Sequence, residues 1–119
     1  MKIMTVDDSE FERKIILGFL KNGGYKDAIE ADSAEKAIEI FKKQKPDLVL
    51  VDVRLPKMDG VSCLRELKKI NKDVKVIMLT IVLRKETIDE AIKLGAVDYL
   101  VKPITETKLL DSIEQAIGK

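Results

Sequence analysis

Short apolar runs alternate with helical periods along the chain. Four runs rich in aliphatic and β-branched residues are typical of strands, and they lie at Lys2–Val6, Leu48–Val51, Lys75–Leu79 and Val97–Val101. A weaker run at Asp27–Ala31 is typical of an edge strand. The run at Leu48–Val51 is continuously apolar, as expected of a strand that helices cover on both faces. The pattern therefore predicts about five strands in one sheet.

Between these runs, apolar residues recur at the spacing of one helix face. The capping box Ser9-x-x-Glu12 predicts a first helix to about Asn22, and Asp32-x-x-Glu35 predicts the cap of the second. The later stripes are Ala34, Ala37, Ile38 and Phe41; Leu64, Leu67 and Ile70; Ile88, Ala91 and Ile92; and Leu109, Leu110, Ile113 and Ile117. Regular alternation of strands and helices predicts one α/β domain over residues 1–119, with a parallel sheet, helices on both faces and right-handed crossovers.

Composition narrows the functions that are open to the chain. It has 45% hydrophobic and 36% charged residues and a formal net charge of +1, which indicates a soluble globular protein without a field that attracts nucleic acid or membrane. We see no signal-peptide layout and no long apolar run, so we expect a cytoplasmic protein without membrane insertion. There is no histidine and Cys63 stands alone, which excludes a His-ligated metal site, a zinc cluster and an internal disulfide. Any metal must bind through oxygen, which favours a hard cation such as Mg2+.

Polar side chains follow four of the predicted strands: Asp7 and Asp8, then Asp52, Thr80 and Lys102. Because ligands of an open parallel sheet bind outside the carboxyl ends of its strands, we expect these side chains to converge. Taken singly, most have an ordinary explanation as a turn-forming Asp, a strand Thr or a solvated Lys. A carboxylate at the end of the most apolar strand is rare unless it is paired or binds metal. The set therefore predicts a cation site combined with a phosphate site.

Four ordered motifs resemble the receiver domain of two-component response regulators. They are Asp7–Asp8; Asp52 with Leu55-Pro56-x-Met58-Asp59-Gly60; Thr80; and Gly95-Ala96-x-Asp98-Tyr99-Leu100-x-Lys102-Pro103. The match keeps its order and spacing from Lys2 to Ile117. The resemblance implies a flavodoxin-like (βα)5 fold with strand order 2-1-3-4-5. It also implies a phosphorylation-activated signalling switch of a two-component system, as in chemotaxis or phosphorelays.

The resemblance implies a role for each acidic residue. Asp52 would accept a phosphoryl group from a partner histidine kinase or histidine phosphotransfer protein. Asp8 and Asp52 would bind Mg2+ directly, together with the backbone carbonyl of Arg54, and Asp7 would act mainly through water. The product would be a labile acyl phosphate, and the domain would catalyse only its own phosphorylation and dephosphorylation.

The resemblance also implies how the signal is read. Lys102, Thr80 and the backbone N–H of Ile81 would hold the phosphoryl oxygens. When Thr80 shifts toward the phosphate, Tyr99 would turn inward and reshape the face made by the fourth helix, the last strand and the last helix. A downstream effector protein would bind that face, in a monomer or a phosphorylation-dependent dimer. Kinase specificity is expected on the first helix, around Phe11, Lys14 and Ile15.

Three features depart from the family pattern. Ile81 occupies a usually small position, and we hypothesise that it narrows phosphoryl access or the path of Tyr99, which would slow phosphorylation. Arg54 and Val82 occupy positions that tune hydrolysis, and neither readily orients an attacking water, so slow self-dephosphorylation is expected. Residues Ile81-Val82-Leu83 also extend an apolar run past a strand end, as a longer strand or as a patch for a partner or dimer.

Other functions of similar chemistry fit the sequence less well. An aspartate-nucleophile phosphatase resembles Asp-x-Asp at the nucleophile, whereas this chain has Asp52-Val53-Arg54. A nucleotide or flavin module needs a glycine-rich first turn, whereas this turn reads Asp7-Asp8-Ser9. The remaining alternative is a pseudo-receiver, a folded interaction module that is never phosphorylated. Ile81 is the only residue that supports it.

Overall fold

Five strands and five helices alternate over residues 1–81 and 84–118, the part of the chain that the computed structural model describes. In chain order they are β1 (Ile3–Val6), α1 (Glu10–Asn22), β2 (Ile29–Ala31), α2 (Ala34–Gln44), β3 (Leu48–Asp52), α3 (Gly60–Ile70), β4 (Lys75–Thr80), α4 (Lys85–Lys93), β5 (Asp98–Val101) and α5 (Glu106–Ala116). All pairings are parallel, and the strand order is β2-β1-β3-β4-β5. The predicted flavodoxin-like α/β fold with order 2-1-3-4-5 is confirmed.

The helices begin where local capping chemistry places them. Ser9 Oγ accepts a hydrogen bond from the Glu12 backbone N–H at 3.2 Å, as the capping box predicts. The prediction for α2 was wrong by one residue: Ser33, not Asp32, is the cap, and its Oγ accepts from the Lys36 N–H at 3.1 Å. Ser and Asp are equally good caps, so the sequence alone does not choose between neighbours. The edge strand is also shorter than predicted, since it begins only at Ile29.

Alternate side chains of the central strands face two separate helix layers, because successive strand residues point to opposite faces. One buried cluster joins Met4, Val6, Val49, Val51, Val76 and Met78 of the sheet to Ala34, Ala37, Phe41, Cys63, Leu64, Leu67 and Ala91 of α2, α3 and α4. The other joins Ile3, Leu48, Leu50, Ile77 and Leu79 to Ile16, Leu20, Leu109 and Ile113 of α1 and α5. The two helix layers thus cover both faces of the sheet. None of the described helices is long and apolar enough to span a bilayer.

Candidate functional site

Three carboxylates meet at the carboxyl edge of the sheet. Asp52 is the last residue of β3, and Asp7 and Asp8 follow β1 directly. One carboxylate oxygen from each lies within 4.8 Å of the others. Asp7 and Asp52 are 2% and 6% exposed, whereas Asp8 is open to solvent. The structure therefore brings together the acidic residues that the strand-end pattern predicted to converge.

Lys102 links the two buried carboxylates. Its Nζ donates to Asp7 Oδ2 and to Asp52 Oδ2, at 3.0 Å in each case. Its backbone N–H donates to the Thr80 carbonyl at 2.8 Å, and the Lys102–Pro103 peptide bond is cis. One ammonium offsets only one of three carboxylate charges. The negative charge that remains matches a divalent cation.

Burial and hydrogen bonding raise the pKa values of both Asp52 and Lys102, so the site favours added positive charge. Burial raises the pKa of Asp52, although hydrogen bonds from the Arg54 backbone and from Lys102 act in the opposite direction. Burial by itself lowers the pKa of Lys102, but its bonds to Asp52 and Asp7 outweigh that effect and leave the Lys102 pKa raised. Asp52 is thus a buried carboxylate whose charge the protein compensates only in part.

Backbone groups orient the carboxylates. Asp7 Oδ1 accepts from the Ser9 N–H at 2.9 Å, and Asp52 Oδ1 accepts from the Arg54 N–H at 3.0 Å. Each buried carboxylate therefore has one oxygen held by backbone and the other by Lys102. The atoms that Asp7, Asp8 and Asp52 offer to a metal are carboxylate oxygens, the ligands that Mg2+ prefers, so these residues fit this cation. Arg54 lines the same open pocket of about 370 Å³, where its carbonyl is the fourth predicted ligand.

The loop after β3 depends on a close approach at Gly60. A side chain at this position would collide with the Asp52 backbone oxygen and would place its Cβ 2.7 Å from the Val53 Cα. The Gly60 N–H donates to the Val53 carbonyl at 2.9 Å, and Asp59 Oδ1 caps α3 by accepting from the Ser62 N–H at 2.8 Å. The predicted Asp59–Gly60 motif therefore begins α3 directly against the end of the strand that carries Asp52.

The remaining predicted residues are Thr80, Tyr99 and Ile81, of which Ile81 lines this pocket. Thr80 is the buried last residue of β4, and Tyr99 lies in β5 with 38% of its surface exposed. Ile81 is 56% exposed and lines the acidic pocket, next to Lys102. The inward movement of Tyr99 and the effect of Ile81 on access stay predictions. Val82 and Leu83 lie outside the described residues. The predictions that depend on them, slow self-dephosphorylation and an apolar run that extends past the strand end, therefore stay predictions.

Two exposed apolar surfaces flank the site. On one side, Phe11 and Ile15 of α1 line a groove with Ile81, Pro103 and Ile104. Phe11 is 76% exposed, which is unusual for a large aromatic side chain. The second group of exposed apolar residues is Ile92 of α4, Val97 just before β5, and Tyr99 and Val101 of β5. Partner binding at the first helix and at the face of α4, β5 and α5 stays a prediction.

Sequence reasoning missed two backbone contacts of the site. The bond from the Ser9 N–H to Asp7 was not predicted, since the sequence indicated Ser9 only as a helix cap with Glu12, and Arg13 was not singled out at all. Arg13 Nη1 donates to the Asp7 backbone carbonyl at 2.7 Å. A usable signal was present, because long helical side chains point back toward the helix N-terminus, and Arg13 lies one turn after the Ser9 cap.

Comparison with known proteins gives concordant matches over nearly the whole chain. The family profile of the response regulator receiver domain matches residues 3–114. Protein CcdB of Bacillus subtilis is 38% identical over 117 residues, 98% of each chain. Chemotaxis protein CheY of the same bacterium is 34% identical over the same length and share. A chain in the crystal structure of the CheX-CheY-BeF3-Mg+2 complex from Borrelia burgdorferi gives a TM-score of 0.95 at 27% identity, covering 100% of this chain and 90% of that one.

Proposed function

The chain belongs to the response regulator receiver family of two-component systems, and from this premise we propose that Asp52 is its phosphoryl acceptor. The donor is a histidine kinase or a histidine phosphotransfer protein. One observation carries the proposal: the carboxylates of Asp7, Asp8 and Asp52 converge around a single lysine at the open edge of the sheet. Phosphorylation then switches the output surface of the domain.

The transfer step is a displacement at phosphorus. A carboxylate oxygen of Asp52 forms the new bond to phosphorus, the bond from phosphorus to the donor imidazole nitrogen breaks, and its electron pair stays on that nitrogen. We assign the attack to Oδ2, because the Lys102 side chain that holds it can turn to the incoming phosphoryl oxygens, whereas the Arg54 N–H that holds Oδ1 is part of the backbone. Lys102 Nζ lies 3.0 Å from Oδ2 and is placed to donate to the transferred phosphoryl oxygens. Positioning and charge neutralisation supply the catalysis.

Receiver domains bind Mg2+ at an acidic pocket, and Asp7, Asp8 and Asp52 form such a pocket here. We propose that Asp8 and Asp52 hold Mg2+ directly with the Arg54 carbonyl, and that Asp7 acts through water. When bound, the cation neutralises the charge that gathers between the carboxylates and the phosphoryl oxygens. The protein keeps Asp7 and Asp52 oriented through the N–H groups of Ser9 and Arg54.

The switch acts through Thr80 and Tyr99. The Thr80 hydroxyl and the Ile81 N–H bind the phosphoryl oxygens together with Lys102, and Tyr99 turns inward from its exposed position on β5. Reversing a two-state equilibrium from 1:99 to 99:1 takes about 5.5 kcal/mol. Hydrogen bonds to charged groups contribute about 1.5–3 kcal/mol each, so these contacts are of the required size. The face of α4, β5 and α5 changes as a result.

Partners bind the two exposed apolar surfaces. We assign the phosphodonor to α1, around Phe11, Lys14 and Ile15, next to the acidic pocket. A downstream effector protein binds the face of α4, β5 and α5, in a cytoplasmic monomer or a phosphorylation-dependent dimer. The domain turns over no external substrate beyond its own phosphorylation and dephosphorylation, and it does not act by direct nucleic-acid binding or membrane insertion.

Intact-mass measurement tests the proposal. The wild type, Asp52→Asn and Asp59→Asn are incubated with a small acyl-phosphate donor, with Mg2+ or with EDTA. Asp59→Asn is the matched control, because Asp59 is a neighbouring exposed carboxylate that caps α3. We expect one added phosphoryl group on the wild type and on the control, only with Mg2+, and none on Asp52→Asn. An adduct on Asp52→Asn contradicts the proposal. If the wild type gains none, Ile81→Ala separates a hindered receiver, which then reacts, from a pseudo-receiver, which does not.

A further inference from the structure

Arg13 connects the edge of the sheet to the loop that carries two of the carboxylates. It lies in α1, and only 13% of its side chain is exposed. Nη1 donates to the Asp7 carbonyl at 2.7 Å, and Nε donates to Glu30 Oε1 of β2 at 3.0 Å. We propose that Arg13 is a positioning residue that fixes the Asp7–Asp8 peptide and thereby sets the Mg2+ affinity of the acidic pocket. This inference rests on the proposed cation site.

The contacts of Asp7 show why this arginine matters to its neighbour. The Asp7 N–H donates to the Ala31 carbonyl at 3.1 Å, and its two carboxylate oxygens accept from the Ser9 N–H and from Lys102 Nζ. Arg13 supplies the partner of the remaining polar atom, the carbonyl oxygen. That carbonyl belongs to the peptide unit that continues into Asp8. Fixing its plane therefore fixes the backbone from which the Asp8 side chain projects.

Asp8 depends on its backbone for its position. Over residues 1–81 and 84–118, the structure gives the Asp8 carboxylate no hydrogen-bond donor, and the side chain is exposed. One of its oxygens nevertheless lies within 4.8 Å of oxygens from Asp7 and Asp52. Three like charges at this separation repel one another, so a free loop would let Asp8 move outward. The Arg13 bond to the Asp7 carbonyl opposes that movement before any cation arrives.

Glu30 accepts hydrogen bonds from both Arg13 and its neighbour Lys14, which makes Lys14 a matched control for Arg13. Its second oxygen, Oε2, accepts from Lys14 Nζ at 2.9 Å, and the Lys14 side chain is 60% exposed. Hydrogen bonding from Lys14, and to a smaller extent from Arg13, lowers the pKa of Glu30 against the effect of burial. Arg13 and Lys14 thus carry the same charge and share one carboxylate, yet only Arg13 reaches Asp7. Lys14 therefore reports what loss of a nearby positive charge does by itself.

A simpler explanation is that Arg13 only ties α1 to the sheet. In that case its loss lowers the stability of the fold but leaves the cation affinity unchanged. Outer-shell partners of metal ligands typically change metal affinity by about 10–100-fold when removed. A loss of positive charge alone acts in the opposite direction, because it makes an acidic site more attractive to Mg2+. A positioning role therefore predicts weaker Mg2+ binding in Arg13→Met than in Lys14→Met, whereas a structural tie predicts equal or slightly tighter binding in both.

The test is an NMR titration with Mg2+, following the backbone amides of Asp8 and Asp52 in wild type, Arg13→Met, Arg13→Lys and Lys14→Met. We expect Arg13→Met to weaken Mg2+ binding about 10-fold or more, and Lys14→Met to leave it equal or slightly tighter. Arg13→Lys keeps the charge but not the two-armed donor, so we expect affinity to stay well below that of the wild type. Thermal unfolding in EDTA records stability separately.

Each outcome of the titration decides one point. Wild-type affinity in Arg13→Met, with a lower unfolding temperature in EDTA, overturns the inference and leaves Arg13 a structural tie. A wild type that shows no Mg2+ binding overturns the proposed cation site itself, and with it this inference. If Arg13→Met does not fold, Glu30→Ala removes the carboxylate that orients Arg13. We expect weaker Mg2+ binding there as well, and an unchanged affinity would overturn the inference.

Discussion

Replacing Lys102 by methionine removes the ammonium that links two buried carboxylates while keeping an unbranched apolar stem. In the wild type, Nζ donates to Asp7 and Asp52 at 3.0 Å each. Hydrogen bonds to charged groups contribute about 1.5–3 kcal/mol each, so the two together contribute about 3–6 kcal/mol. The pocket is open to water and Asp8 is exposed, which favours the lower end. We expect a loss of about 3 kcal/mol in the free energy of unfolding without Mg2+, in the range known for breaking a buried ion pair.

Thermal unfolding followed by circular dichroism, in EDTA and at rising Mg2+ concentrations, measures this loss. At about 2–8 °C per kcal/mol, the midpoint of Lys102→Met falls by at least about 6 °C in EDTA. Mg2+ reduces the difference in midpoint between wild type and Lys102→Met, because a divalent cation stabilises a pocket that has lost its ammonium more than it stabilises the wild-type pocket. Lys108→Met, which removes an exposed lysine of α5, is the control and leaves the midpoint nearly unchanged.

The pH dependence of this difference has a defined sign. Burial alone lowers the pKa of Lys102, but hydrogen bonds to Asp52 and Asp7 raise it above the usual lysine value. The stability that Lys102 contributes is therefore fully present below its unfolded pKa and is lost as pH rises through the folded one. The difference in midpoint between wild type and Lys102→Met therefore persists at neutral pH and closes as the solution becomes alkaline. Equal midpoints in EDTA at pH 7 would refute the reasoning.

Three further predictions concern single residues. The new methyl group of Gly60→Ala collides with the Asp52 backbone, and we expect it to lower the free energy of unfolding in urea titrations by about 1–3 kcal/mol or more. Gly18→Ala is the control: Gly18 is an exposed helix position with nothing within 4 Å, and this change raises the free energy of unfolding by about 0.5–1 kcal/mol. Equal effects of the two substitutions would contradict the packing argument. Burial raises the pKa of Cys63 to about 12, so a thiol reagent at pH 8 labels the protein only after unfolding, and rapid native labelling would show that the thiol is accessible. We expect Ile81→Ala to be phosphorylated faster by a small acyl phosphate, measured by intact mass in samples quenched at successive times. An unchanged rate would contradict the hypothesis that Ile81 narrows phosphoryl access to the acidic pocket.

The strand-end residues were predictable because a parallel sheet obeys a simple rule. An apolar run that ends in a carboxylate places that carboxylate at the open edge, whichever helices follow, and this located Asp7, Asp52 and Lys102 together. Strand order came from family resemblance, since alternation of strands and helices alone does not fix which strands pair. The position of Asp52 as the final residue of β3 rather than the residue after it did not alter its placement at the edge.

Other features depend on geometry that sequence patterns do not encode. The choice of Ser33 over Asp32 as the α2 cap turns on backbone dihedrals, because both residue types cap equally well. The Arg13 bond to the Asp7 carbonyl needs the rotation of α1 about its axis relative to the loop, and its acceptor is a backbone atom that any residue carries. The exposed position of Tyr99 is a side-chain arrangement that its place in a strand leaves undetermined.

The most direct test of the account identifies the residue that carries the phosphoryl group. The protein is phosphorylated with Mg2+ and a small acyl-phosphate donor, reduced with borohydride, which converts an aspartyl phosphate to homoserine, and digested for peptide mass mapping. The account predicts homoserine at position 52 alone, dependent on Mg2+ and on the donor. Homoserine at position 7, 8 or 59, or a borohydride-resistant phosphoryl group on a hydroxyl side chain, would contradict the assignment of Asp52 as the acceptor.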